Sequence, residues 1–368
     1  MLLNLPAPPQ AKPWLPAGPE AHGALNYSEL ENLGLDPAQI IDFSSNINPY
    51  GPAPGVRQAL VGCTPERYPD RQALALRRAL SAQLGIAAEQ ILPGSGCAEL
   101  IWLAALAYLQ PGDTVLVVGP TFGEYAHAAQ LAGAQVETCP AAPPGFVVAA
   151  DTVTQRLGSR AYRLAFICNP NNPTGQAVPP ETIAAWAAAA PDTLLVVDEA
   201  YIHFAPHLRS VLPLGQPNLL LLRSMTKEYA LAGLRLGYAV AHPQIIRALA
   251  AVQPPWSVSA PAQAAGLAAL AAHAQMLADM RRLQADRQQF QAWLRAAGLQ
   301  PLPSETAFFL LPAGRAAAWR LALLHQGLQV RDCASFGLPG YLRIATRRPE
   351  ENEKLARALV QTAQEIDR

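Results

Sequence analysis

Five short, mostly apolar runs constrain this chain more than any other feature: residues 114–118 (TVLVV), 163–167 (RLAFI), 193–197 (TLLVV), 218–222 (NLLLL) and 235–241 (RLGYAVA). None alternates polar with apolar residues. A strand of that kind must be covered on both faces, as in a parallel sheet flanked by helices. A further strand is expected at 134–138. Helical spacing marks 71–84, which stops at Gly85, and also 97–109 and 123–132. This alternation predicts an α/β domain with a mostly parallel sheet and right-handed crossovers.

From residue 261 the composition changes. Residues 262–297 read as one long helix rich in Ala, Gln and Arg. Strands at 306–311, 328–331 and 341–345 and helices at 313–326 and 350–366 complete a smaller α+β C-terminal domain. Residues 1–50 are proline-rich and read as an irregular arm joining that domain. The expected division is therefore 1–50, 51–255 and 256–368.

Bulk properties exclude several classes. Apolar residues make up 51% of the 368 residues and charged residues 15%, so the chain is globular. Lys plus Arg and Asp plus Glu both number 27, and a zero balance argues against nucleic-acid or membrane-surface binding. No apolar stretch approaches the roughly 18 residues of a spanning helix, and the N-terminus has no signal-peptide pattern. The cysteines (63, 97, 139, 168, 333) fit no metal or disulfide spacing. They read as reduced thiols of a cytoplasmic protein, with no metal.

Four segments carry chemistry at strand ends, where open α/β sheets bind ligands. The first, Leu92-Pro93-Gly94-Ser95-Gly96-Cys97-Ala98-Glu99, opens a helix whose free N–H groups attract phosphate. It lacks the third glycine of a dinucleotide fingerprint and the Gly-Lys-Ser/Thr of a P-loop, and alone it is equally a plain glycine turn. In the second, Cys168 to Gly175 (CNPNNPTG), eight turn-forming residues exceed what a turn needs, and an Asn amide there can donate to a phenolate oxygen. In the third, LLVVDEAY (194–201), Asp198 ends an apolar strand. That is costly unless it meets a positive partner, an arginine or a protonated ring nitrogen.

The fourth is Ser224-Met225-Thr226-Lys227, with Gly233-Leu234-Arg235-Leu236-Gly237 following. A lysine in apolar surroundings can be neutral and attack an aldehyde. Ser224, Thr226 and Arg235 can hold a phosphate. The alternatives are a surface lysine after a strand, or a Ser-x-x-Lys acyl enzyme with Ser224 as nucleophile. The acyl enzyme's partner motifs, Ser-Asp-Asn and Lys-Thr-Gly, are missing.

Taken together, NPNNPTG (169–175), DEAY (198–201) and SMTKEYALAGLRLGY (224–238) resemble fold-type I pyridoxal-phosphate enzymes of the class I/II aminotransferase family, the histidinol-phosphate aminotransferase group in particular. The resemblance runs from about residue 22 to the C-terminus. It implies that Lys227 carries pyridoxal 5'-phosphate as a Schiff base and that Asp198 pairs with the pyridine nitrogen, keeping the ring an electron sink. Asn172 and Tyr201 would contact the ring hydroxyl, with Tyr201 joining Lys227 and Asp198 as catalytic residues. Phe122 would stack on the ring. The backbone at Gly96, Cys97 and Ala98, with Ser224, Thr226 and Arg235, would hold the phosphate. Tyr68 would reach the coenzyme phosphate of a second subunit in a homodimer, and Arg343 would grip a substrate carboxylate.

Three further runs are similar to the threonine-phosphate decarboxylases of cobalamin biosynthesis: His22-Gly23-Ala24 with DFSSNINP (42–49), RDCASF (331–336), and the stretch from Arg343 through 347–353 (RRPEENE). That group usually has His-Gly-Gly where this chain has His22-Gly23-Ala24. On this resemblance His22, Asn46 and Arg331 take the substrate's own phosphate. Read as plain residues, they are a solvated loop, a capped turn and a strand-end surface charge. The expected reaction is decarboxylation of L-threonine O-3-phosphate to (R)-1-aminopropan-2-yl phosphate. The alternative is an aminotransferase for histidinol phosphate or a related amino acid. The two differ in which Cα bond stands perpendicular to the ring. A non-catalytic module on the same fold has no need of Lys227, Asp198 and Arg235 together.

Overall fold

The computed structural model describes residues 12–15 and 23–366. Its strands are β1 (Ile41–Asp42), β2 (Ile91–Gly94), β3 (Thr114–Gly119), β4 (Gln135–Pro140), β5 (Leu164–Cys168), β6 (Leu194–Asp198), β7 (Leu219–Ser224), β8 (Gly237–Ala241), β9 (Phe308–Pro312), β10 (Leu328–Gln329), β11 (Arg331–Asp332) and β12 (Tyr341–Ala345).

Seven of them form the central sheet in the order β2-β8-β7-β6-β5-β3-β4. β4, β3, β5, β6 and β7 run parallel, and β8 alone opposes its neighbours. The apolar runs are buried on both faces, as their lack of alternation requires. Along β5, β6 and β7, Ala165, Ile167, Leu195, Val197, Leu219 and Leu221 enter one core. Leu164, Phe166, Leu194, Val196, Leu220 and Leu222 enter the other. The first face is covered by helices such as Leu74–Leu84 and Ala260–Ala271, and the second by Gly96–Tyr108 and Pro243–Val252.

A second body packs β11-β12-β9, an antiparallel sheet, against the helices Ala316–His325 and Pro349–Ile366. β1 pairs in parallel with β10, and Phe43 continues the contact: its N–H donates to the Gln329 carbonyl (2.7 Å) and its carbonyl accepts from Ala345 N–H (2.9 Å). The Phe43 ring is fully buried with Phe290, Phe309 and Trp319.

Three sequence expectations are corrected here. The single helix at 262–297 is two, Ala260–Ala271 and His273–Ala296, parting at Ala272 (φ −101°, ψ 20°). There the His273 ring meets the Tyr229 hydroxyl at 2.7 Å, a tertiary contact that helical spacing does not encode. The strand at 328–331 splits at Val330 into β10 and β11, which belong to different sheets. An apolar run does not name its partner. The arm is not wholly irregular, since it contains the helix Tyr27–Asn32, capped by the Asn26 side chain, and β1.

Truncating Phe43 leaves a cavity where the N-terminal segment is stitched in. Phe43→Ala is expected to lower the unfolding free energy by about 3–5 kcal/mol, read from a urea curve.

Candidate active site

Strand polarity brings the four chemical segments together. β3, β5, β6 and β7 end on one edge of the sheet, and the reversed strand β8 begins there. Gly96 after β2, Phe122 after β3, Asn172 after β5, Asp198 closing β6 and Lys227 after β7 therefore converge with Arg235, which precedes β8. All but Gly96 line a cavity of about 350 Å3 or an adjoining recess of about 110 Å3, which share Ala98, Phe122, Asn172, Tyr201, Thr226, Lys227 and Arg235. The cavity's size suits a small-molecule ligand.

Asp198 is buried in the recess. Its Oδ2 accepts from the Tyr125 hydroxyl and its Oδ1 from Ala200 N–H, both at 2.9 Å. Burial pushes the carboxyl up to about 6, against the pull of these two bonds. Lys227 is drawn down to about 8, first by burial and then by the charges of Arg343 and Arg235. Much of its amine is therefore neutral near pH 8, as aldehyde capture requires. Burial also pushes the Tyr201 phenol up to about 12. The Tyr201 hydroxyl accepts from Asn46 Nδ2 at 3.3 Å, while Asn46 Oδ1 is buried without a partner among the described residues.

The turn after β5 divides its labour. Asn169 exchanges bonds with Val178, and Asn171 holds the Pro120 carbonyl and Thr174. Asn172 is left to face the cavity, where its Oδ1 accepts from Arg343 Nη1 at 2.5 Å. Arg343 Nη2 donates to the Ser44 carbonyl, and its Nε is buried with no partner among the described residues.

At the start of the helix Gly96–Tyr108, Gly96 sits at φ +79°, and a Cβ there would lie 2.7 Å from Arg235 Nη2. Glycine suits the left-handed backbone, and a side chain there would push the Arg235 guanidinium aside. Arg235 is itself left-handed (φ +53°), so its guanidinium turns back over the helix start. Ser224 is buried at the end of β7, its Oγ accepting from Thr226 N–H.

Not every expected residue is in the cavity. Tyr68 is 80% exposed, stacked on Trp256 at 4.5 Å, and is not part of the lining. Arg331 stands directly opposite Arg343 in the β11–β12 ladder, so the two share a face. Its guanidinium bonds Ser335 Oγ at 2.7 Å; Ser335 and Phe336 line the cavity, and Arg331 does not. His22 lies outside the described residues. Its neighbours Gly23 and Ala24 line the mouth, with Ala24 N–H donating to Ser44 Oγ.

Sequence reasoning missed Tyr125 and the hold of Ser44 and Asn172 on Arg343. Tyr125 had a faint signal, a phenol one helical turn beyond Phe122. The Ser44 contact had none, because 299 positions separate the partners.

The Aminotransferase class I and II family model matches residues 38–359. The chain belongs to that family. Among its similar relatives is a histidinol-phosphate aminotransferase of Symbiobacterium thermophilum, 38% identical over 337 residues, covering 89% of this chain and 91% of the relative. A histidinol-phosphate aminotransferase 2 of Pseudomonas fluorescens is 36% identical, covering 98% and 97%. The solved histidinol-phosphate aminotransferase of Sinorhizobium meliloti, in complex with pyridoxal-5'-phosphate, superposes with a TM-score of 0.84 at 27% identity, over 93% and 96% of the chains. The L-threonine-O-3-phosphate decarboxylase of Porphyromonas gingivalis gives 0.77 at 28%, over 88% and 99%.

As a member of this aminotransferase family the protein is a pyridoxal-phosphate enzyme. Its residues fit the coenzyme: a depressed lysine, a buried carboxylate, an aromatic face and a glycine-bared helix start under an arginine. Among the described residues, no helix is long and apolar enough to cross a membrane, and no group of His, Cys, Asp and Glu could hold a metal.

In coenzyme-free protein, capture of added pyridoxal phosphate is expected to accelerate as pH rises through about 8, because the neutral amine reacts. Arg343→Gln removes a cation that holds this midpoint down and should move it upward. Stopped-flow absorbance across pH 6.5–10 reads both. A midpoint near the ordinary lysine value of about 10.4 would contradict the assignment.

Proposed function

We propose that this protein is an aminotransferase that exchanges an amino group between an anionic amino compound of the histidinol-phosphate kind and a keto acid. The observation that carries this is Arg343, a buried cation whose Nε has no partner among the described residues, in the same cavity as a lysine depressed to about 8. An unmet buried donor is costly, and an anionic ligand would answer it. The named relatives at 36–38% identity support amino-group transfer over the decarboxylation expected first.

When bound, pyridoxal phosphate supplies an electron sink for charge developing at the substrate Cα. Everything else falls to the chain. Lys227, freed from the coenzyme by substrate, would take and return the Cα proton. Asp198, ionised above about pH 6, would face the ring nitrogen. The N–H groups at Gly96, Cys97 and Ala98, with Ser224, Thr226 and Arg235, would receive the phosphate. Phe122 offers a ring face, and Asn172 and Tyr201 lie beside the ring hydroxyl's place. Arg343 orients the substrate anion.

Tyr68, exposed beside Trp256, supports a homodimer in which it completes the other subunit's site. The division at residues 50 and 255 and a cytoplasmic setting, to which five unpaired thiols are suited, belong to the same reading.

One observation favours a second reading. Arg331 and Arg343 share a face, and a substrate with both carboxylate and phosphate on a short carbon chain would engage both. Holding both ends could turn the carboxylate out of the ring plane, and decarboxylation of threonine phosphate would follow.

Borohydride reduction and peptide mapping should label Lys227 and neither of the chain's other two lysines, Lys12 and Lys354. Lys227→Ala should abolish both label and turnover. For the reaction itself, histidinol phosphate with 2-oxoglutarate should yield glutamate. O-phospho-threonine alone should give no sustained release of carbon dioxide. Repeated release without a keto acid would replace the first reading with the second.

A further inference from the structure

Tyr125 plays no part in the roles assigned above, yet its hydroxyl lies 2.9 Å from Asp198 Oδ2. It stands on the first turn of the helix Glu124–Leu131, one turn beyond Phe122, and its side chain is fully buried. Its ring is fixed on both sides: it stacks on Phe166 of β5 at 5.1 Å and 11°, and meets Phe122 edge-on at 5.6 Å. One rigid phenol thus connects the aromatic face of the cavity to its buried carboxylate.

A neutral donor is well suited to this place. Asp198 is flanked by Glu199, whose charge disfavours ionisation, and burial works the same way. Two donors oppose these effects, Ala200 N–H on Oδ1 and Tyr125 on Oδ2. Each oxygen keeps a lone pair for a further partner. A cation in the place of Tyr125 would satisfy the carboxylate outright and compete with a protonated ring for it. Burial holds the Tyr125 phenol far above its ordinary range, so it remains a donor at every working pH.

We propose that Tyr125 is a positioning residue whose hydroxyl keeps Asp198 ionised and aimed at the coenzyme's ring nitrogen. The inference rests on the reading of Asp198 as that nitrogen's partner, and holds whether the enzyme transfers amino groups or releases carbon dioxide. Without the hydroxyl, the carboxylate binds a proton more readily. The proton shared with the ring then moves towards Asp198, and the ring becomes a weaker sink.

The test uses holoenzyme loaded with coenzyme labelled with 15N in the ring, and reads the nitrogen's chemical shift at neutral pH. Tyr125→Phe preserves the stack and removes only the hydroxyl. Its signal should move towards that of neutral pyridine, with kcat reduced roughly ten- to a hundredfold, as for a hydrogen bond to a charged group, and KM little changed. Phe166→Leu loosens the same stack without touching the hydroxyl and should leave the signal in place. Asp198→Asn should move it at least as far as Tyr125→Phe. An unmoved signal in Tyr125→Phe beside a shifted Asp198→Asn overturns the role of Tyr125 alone. An unmoved signal in Asp198→Asn overturns the underlying assignment. Equal shifts in Tyr125→Phe and Phe166→Leu reduce Tyr125 to packing and also overturn the proposal.

Discussion

Holding ionisable groups at the closing edge of an apolar parallel sheet is the constraint on which this structure depends. Such a sheet excludes water from its strands, so any charge at its end is desolvated. Two adjacent carboxylates show the two available responses. Glu199 turns into a closed arrangement, with Arg223 Nη2 at 2.9 Å, Ser210 Oγ at 2.7 Å and Val211 N–H at 2.7 Å. Asp198 receives two neutral donors among the described residues and faces the recess. Glu199 is spent on structure, whereas Asp198 retains capacity for a ligand.

The same economy governs the arginines. Arg223 is consumed by Glu199, and Arg343 is steadied by one side-chain oxygen and one backbone carbonyl, neither of them charged. Neutral partners orient a guanidinium without cancelling its charge, which is what lets Arg343 pull Lys227 down. The segment from Asp42 to Tyr50 ties these features together. Phe43 joins the small body's core, the Ser44 carbonyl accepts from Arg343, and Asn48 N–H donates to the Lys227 carbonyl at 3.0 Å. Asn48 Nδ2 reaches the Glu228 carbonyl at 3.1 Å. The lysine loop and the anion-facing strand are thus fastened to one stretch of chain.

Much of this was legible in the sequence because it depends on local chemistry. Apolar runs without alternation give a sheet covered on both faces, and polar residues following them give a site at one edge. The residues assigned to the coenzyme, apart from Tyr68, do line the cavity or the helix start beneath it. What was illegible depends on partners far away in the chain. Nothing around 328–331 tells that Gln329 faces Asp42 while Arg331 faces Arg343. Nothing around Tyr125 names Asp198. Local pattern did not settle where Arg331 lies. It is half-buried and outside the cavity lining, and it bonds Ser335 Oγ, which does line the cavity. For the reaction, short motifs pointed to decarboxylation, whereas the named curated relatives, similar over nearly the whole chain, are aminotransferases.

The ladder between β11 and β12 has a consequence for how such an enzyme could change its diet. β11 is two residues long, and the connection from 333 to 340 helps set which residue stands opposite Arg343. A slip of one position flips every side chain of a strand to the other face. Adding or deleting one residue in that connection would present Val330 or Asp332 to Arg343 in place of Arg331. A cross-strand pair of cations beside the cavity would become a cation beside an apolar residue, or an ion pair. Preference for substrates with one or two anionic groups would then change through loop length alone, with Lys227, Asp198 and the coenzyme's cradle untouched. Insertions and deletions are tolerated in such surface connections far more readily than substitutions in the buried edge of the sheet.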